Sequence, residues 1–224
     1  MFKQIKAFTL AEVLITLGII GIVAEMTIPT LMNNVQDQVY KTGYKTAYSE
    51  ASQAWLRAMT DDKIVALPNV GDNQAQRLAN FAAFQSYFQV SKTCGDASTA
   101  TLAAISDCWA NGEMWWTSFP YANGVAFIDN AGMAWVLTVS ISTTNTNEIF
   151  VDVNGSKKPN KFGQDRFDLM PAAADNNWSG DLVKIIPHHD CLSASDCNGE
   201  NIANVCPSVA AHPCYYSSWL TGAK

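Results

Sequence analysis

The chain has 224 residues, a formal net charge of −6, 48% hydrophobic residues and 15% charged ones. That is long enough for one domain with its own core plus an anchor, and too apolar and too sparsely charged for a disordered chain. An acidic balance argues against bulk nucleic-acid binding, which takes clustered Lys and Arg; no phosphate-binding glycine loop, G-x-S-x-G or H-E-x-x-H appears, so no catalytic role is expected.

The N-terminus opens with MFKQIKA, charged only at Lys3 and Lys6. The 21 residues that follow, Phe8–Ile28 (FTLAEVLITLGIIGIVAEMTI), are almost wholly apolar. As a helix they span roughly 31 Å, about one bilayer core. The basic leader places the N-terminus in the cytoplasm and the bulk of the chain outside. A secretory signal fits poorly, because the apolar run is too long and Ile22-Val23-Ala24 is a weak cleavage site.

Glu12 lies inside that run, and a lone carboxylate in hydrocarbon is costly unless paired. Two readings stand. A cut between Ala7 and Phe8 would free an α-ammonium four residues upstream, from this chain or a neighbour. Alternatively Glu12 sits at headgroup level in the first helical turn, where the helix dipole favours an anion. Gly18 and Gly21 suit close packing between membrane helices. Glu25, roughly 20 Å further along a helix than Glu12, falls at the outer headgroups. Pro29 lacks an amide hydrogen and crowds the Glu25 carbonyl, which predicts a kink or local break over 25–29.

The helix then resumes to about Thr60. Val35, Val39, Tyr40, Tyr44, Ala47, Tyr48, Ala51, Ala54, Trp55, Ala58 and Met59 recur at three- and four-residue steps, an amphipathic face able to carry a globular domain. Phe8 to Thr60 is thus expected as one helix, half in the membrane and half packed.

Residues 1–34 resemble the N-termini of type IV pilins and type II secretion pseudopilins. The family pattern is a basic leader, a small residue at the cut, Phe, Glu as the fifth residue after the cut, about twenty apolar residues and a Pro near the twenty-second. Counted from Phe8, Glu12 is fifth and Pro29 twenty-second. Ala7 departs from the usual Gly, and Glu25 stands where the family usually has an apolar residue. The resemblance implies cleavage by a prepilin peptidase after Ala7, methylation of the Phe8 amine, and packing of the apolar helix through Glu12, Gly18, Gly21 and Pro29. Its partners would be other pilin-like subunits, the inner membrane and the filament assembly machinery. Other classes remain: a minor subunit serving adhesion or DNA uptake, and an anchored extracytoplasmic domain that never polymerises.

Asp61–Asn73, with Pro68 and Gly71, reads as a loop, Ala75–Gln89 as a second helix, and Lys92–Pro120 as irregular. Gly124–Asp129 and Met133–Ser142 flank a turn at Asn130–Gly132; with Glu148–Val153 they make an antiparallel meander, and Asp181–Ile186 offers a fourth strand. The expected class is α+β. A leader (1–7), an assembly helix (8–30) and a head (31–224) are predicted; the head combines the amphipathic helix (31–60), the second helix (75–89), a sheet over 124–153 and a cysteine-rich tail (187–224). The amphipathic half-helix covers one face of the sheet.

Six cysteines, Cys94, Cys108, Cys191, Cys197, Cys206 and Cys214, suit disulfides in an exported domain. Sequence closeness suggests 94–108, 191–197 and 206–214 among fifteen connectivities. Zinc is the rival, with His188, His189 and His212 nearby, though the spacings are not those of common zinc sites. After the third strand, Asp152, Asn154 and Asp165 place oxygens beside Gly155 in a pattern like half a calcium loop, without the closing Glu; side-chain-capped turns are the alternative. Lys157, Lys158 and Lys161 read as a solvated loop. The sequons at Asn154 and Asn177 read as chance matches.

Overall fold

The computed structural model describes residues 9–65, 74–94, 108–109, 123–139, 147–161, 164–173 and 183–187. Its elements run α1 (Leu10–Thr60), α2 (Gln74–Gln85), β1 (Val90–Cys94), β2 (Asn123–Asp129), β3 (Ala134–Val139), β4 (Asn147–Asp152), β5 (Arg166–Ala172) and β6 (Lys184–Pro187). The chain divides into two compact units, 1–39 and 40–224, and α1 contributes to both.

In the first unit α1 buries almost nothing. Leu14, Ile15, Leu17, Ile19, Ile20 and Ile22 are all exposed, and the helix is long and apolar enough to cross a membrane. Helix continues through Pro29, so the break expected over 25–29 does not occur. A proline removes only the one hydrogen bond its own nitrogen would make, and the ladder on either side persists. The Thr16 hydroxyl donates back to the carbonyls of Glu12 and Val13 (2.9 Å each), and that of Thr27 to Val23 (2.9 Å). Both hydroxyls are thereby satisfied within the helix.

The second unit is a helix-on-sheet core. From Tyr40 onward α1 buries Tyr40, Tyr44, Ala47, Ala51, Ala54, Trp55 and Ala58, one stripe at the helical repeat. The stripe starts at Tyr40, later than the sequence pattern suggests: Val35 and Val39 are 54% and 59% exposed. Four alanines in the stripe let the helix backbone approach the sheet, and the aromatics fill the ends. Tyr44 packs on Phe167 (centroids 4.5 Å) and Trp55 on Phe84 (5.7 Å). Phe88 sits against Phe127 (5.3 Å) and Trp135 (5.0 Å). Each such side chain contributes about 1.5–3 kcal/mol of burial free energy.

The sheet is a six-stranded antiparallel meander in the order β1-β2-β3-β4-β5-β6. Alternation puts Val125, Phe127, Trp135, Leu137, Ile149, Val151, Phe167 and Leu169 in the core cluster with α1 and α2. The β2–β3 turn is set by Asp129, whose carboxylate accepts from the Met133 amide (3.0 Å) and the Trp135 indole (2.7 Å), and by Gly132 at φ 86°. The predicted second helix extends too far: α2 ends at Gln85, and Ser86–Phe88 form turns bonded back to Ala82–Gln85.

Two strands fall where none is expected. β1 (VSKTC) is polar because four of its five residues are exposed. β5 (RFDLMPA) is buried at all seven positions, although it carries Arg166, Asp168 and Pro171.

Gly43 fixes how closely α1 meets the sheet, since a Cβ there would lie 2.9 Å from the Cβ of Val153. Alanine would gain about 1 kcal/mol of helix propensity but must displace a stiff β-branched neighbour. Gly43→Ala should therefore lower the thermal midpoint by a few degrees. A double-mutant cycle with Val153→Ala should recover part of the loss; strictly additive effects would refute the contact.

Candidate functional site

The first turn of α1 holds the best-marked residue of the sequence. Glu12 Oε2 accepts from the Thr9 amide (2.9 Å) and the Thr9 hydroxyl (2.8 Å), while the Glu12 amide donates to Thr9 Oγ1 (3.3 Å). This is a capping box, with Thr9 as cap and Glu12 reaching back. The T-x-x-E signal was legible in the sequence but is easily overlooked beside so long an apolar run. Thr9 also explains why the helix begins at Leu10 rather than Phe8. Both hydrogen-bond donors to Glu12 are neutral, so the cap satisfies the acceptor without cancelling its charge.

Gly18 and Gly21 lie on open helix surface, with nothing within 4 Å of an added Cβ. They leave shallow notches in the apolar surface, the kind of relief a second helix packs into. Ala7 and Phe8 lie outside the described residues, as does the rest of the leader.

The second region is the β4–β5 turn. The structure brings Asp152, Asn154 and Asp165 together, as their spacing suggested. Asp165 accepts from the amides of Asn160 (2.8 Å) and Lys161 (2.6 Å) and from Asn154 Nδ2 (3.0 Å). Asp152 accepts from the Asn154 amide (3.3 Å) and from Arg166 Nε at 2.9 Å, a pair with side chains 0% and 1% exposed. The carboxylates thus already receive protein donors, and Arg166 supplies the positive charge beside them. That is the arrangement of side-chain-capped turns. Among the described residues no group of three His, Cys, Asp or Glu side chains is placed to hold a metal ion.

Arg166 is the residue that sequence reading misses, and no local pattern announces it. Its guanidinium also lies 4.3 Å from the centroid of the Trp109 ring, and Trp109 meets Phe150 at 6.5 Å. Trp109 is held there by its neighbour: Cys94 and Cys108 form a disulfide closing a 14-residue separation, as sequence closeness suggested. Cys191, Cys197, Cys206 and Cys214 lie outside the described residues, and so do His188, His189 and His212.

Comparison with family models, with curated proteins and with solved structures returns no match to this chain.

Burial pushes the Asp152 carboxyl up to about 7, opposed by the Arg166 hydrogen bond and assisted by the Asp165 carboxylate. Burial also raises Asp165, against its backbone donors. A carboxyl raised in the folded state binds its proton more tightly there than in the unfolded chain. Its stabilisation is complete below the unfolded value near 4 and fades as pH rises through about 7. Thermal stability should therefore fall between pH 5 and pH 8, and Asp152→Asn should flatten that slope; an unchanged slope in the variant would refute the assignment. Adding calcium in place of chelator should leave the midpoint unmoved, and a rise of several degrees would contradict the reading of the turn.

Proposed function

We propose that this chain is a prepilin-like structural subunit, cut after Ala7 by a prepilin peptidase, methylated at Phe8, and assembled into a type IV pilus or type II secretion pseudopilus. It is anchored in the inner membrane through α1, with its N-terminus cytoplasmic and residues from Tyr40 onward extracytoplasmic. The observation that carries the reading is a single α-helix whose first half exposes apolar side chains, with Glu12 in its opening turn, and whose second half is the core helix of a six-stranded domain. The spacing of Ala7, Phe8, Glu12 and Pro29, which resembles the pilin pattern, supplies the family.

In this reading the methylated Phe8 amine of one subunit meets Glu12 of the next. Two charges leave water as one neutral pair, and the match fixes axial register during stacking. The notches at Gly18 and Gly21 admit neighbouring helices. No cofactor is required, and the partners are further subunits, the peptidase and the assembly machinery.

The capping box favours a second reading, an anchored domain that never polymerises, because Thr9 alone already gives Glu12 hydrogen-bond partners. Two substitutions separate them. Glutamine can still close a capping box, so Glu12→Gln keeps the helix start and removes only the charge, whereas Glu12→Ala removes both. The subunit reading expects both variants to accumulate in the membrane and neither to enter filaments. Normal incorporation of Glu12→Gln would refute charge pairing.

A further inference from the structure

A cavity of about 310 Å³ opens in the second unit between α1, the turn after α2 and the β2–β3 hairpin, apart from both regions described above. Glu50 and Arg57 line its α1 wall, Tyr87 and Phe88 its aromatic wall, and Asp129 and Asn130 the hairpin side.

The walls are fixed before anything enters. The Tyr87 hydroxyl donates to the Asp61 carboxylate, and the Lys63 ammonium lies 4.7 Å from the centroid of the Tyr87 ring. Phe88 is locked among Phe84, Phe127 and Trp135. Asn130 is tied to Gln89 through its amide (2.9 Å) and its side chain (3.2 Å). Asp129 is 5% exposed, and both of its oxygens are held by the neutral donors already described.

The charges in this cavity are unbalanced. Both donors that hold Asp129 are neutral, so neither brings a positive charge to its carboxylate. Glu50 is half-buried beside it, and its side chain makes no hydrogen bond or ion pair among the described residues. Burial, and then the Asp129 carboxylate, hold the Glu50 carboxyl above its usual range. Arg57 is exposed at the rim, seven residues and roughly 10 Å along the helix from Glu50, and forms no ion pair with it.

We propose that this cavity binds an alkyl cation, an ammonium or guanidinium on a short carbon stem, with the charged head against Glu50 and Asp129 and the stem along Tyr87 and Phe88. An aromatic wall attracts a cation and packs methylenes. The volume lies at the small end of ligand sites, room for one lysine-sized group and not for a nucleotide. An anion or a neutral ligand would leave Glu50 half-buried and unmatched.

That chemistry has two sources, a free amine or a lysine of a second copy of this chain. Lys157 and Lys158 are exposed beyond β4, in the turn that abuts the β2–β3 hairpin where Gly155 meets the Gly132 carbonyl. They stand on the same rim of the sheet as the cavity without pairing with Glu50. The inference does not depend on filament assembly, and a chain that never polymerises would bind the cation equally.

The test uses the full chain in detergent micelles with ¹⁵N-labelled tryptophan. N-acetyl-L-lysine amide should shift the Trp135 indole signal saturably in the low millimolar range, because Trp135 bonds the carboxylate at the back of the site. N-acetyl-L-norleucine amide, with the stem and no charge, should not. Glu50→Gln should weaken the lysine response at least tenfold, while Arg57→Gln leaves it equal or stronger. If the source is a second copy, self-association in sedimentation should be lost in Glu50→Gln and equally in the Lys157→Ala/Lys158→Ala variant. A signal indifferent to the lysine probe or to Glu50→Gln, together with association indifferent to Glu50→Gln, overturns the proposal.

Discussion

A carboxylate set into the apolar end of a long helix is the constraint from which the rest follows. Glu12 needs hydrogen-bond donors and a positive charge, and these are separate requirements. Thr9 meets the first within one turn. The second is unmet by any neutral cap, and the proposed cut after Ala7 is what would bring a cationic chain end into reach. Local folding thus leaves a residual electrostatic demand, which in the proposed reading processing and a neighbour would satisfy. This is how one residue can be both a helix start and a specificity element.

The same helix faces a different problem after Tyr40. There its side chains must fill a groove over an antiparallel sheet, and the sequence changes accordingly. Branched aliphatics give way to a repeating pattern of alanine and large aromatics, with Gly43 admitting Val153. Small residues at the contact bring the helix close, and Tyr44 and Trp55 seal the space that remains. One helix, Leu10–Thr60, thus carries two sequence patterns, one in each unit.

The reach of sequence reasoning can be traced residue by residue. The first half of α1 is legible as an almost wholly apolar run, and its second half, α2 and strands β2 to β4 because their apolar residues recur at a single clear period. The opposite holds for β5. Arg166 and Asp168 lie in a strand whose seven residues are all buried, and charges in a buried strand look like loop residues until the partner, Asp152, is known. That ion pair joins positions 14 apart, and no local rule reveals it. β1 fails for a different reason: as an edge strand with exposed side chains, it has no hydrophobic signal to read. Among the site residues, Asp152, Asn154 and Asp165 do meet in space, but as acceptors for backbone amides and for Arg166 rather than as an open oxygen cage. Pro29 carries a kink signal strong enough to predict a break, yet one lost hydrogen bond does not interrupt a helix of 51 residues.

The pairing of Glu12 with a liberated chain end is tested most directly at the N-terminus itself. Intact-mass and peptide mass spectrometry of the chain recovered from filaments should find a species that begins at methylated Phe8 and lacks the first seven residues. Filaments built from chains that still begin at Met1 would contradict the account, because no positive chain end would then lie within reach of Glu12.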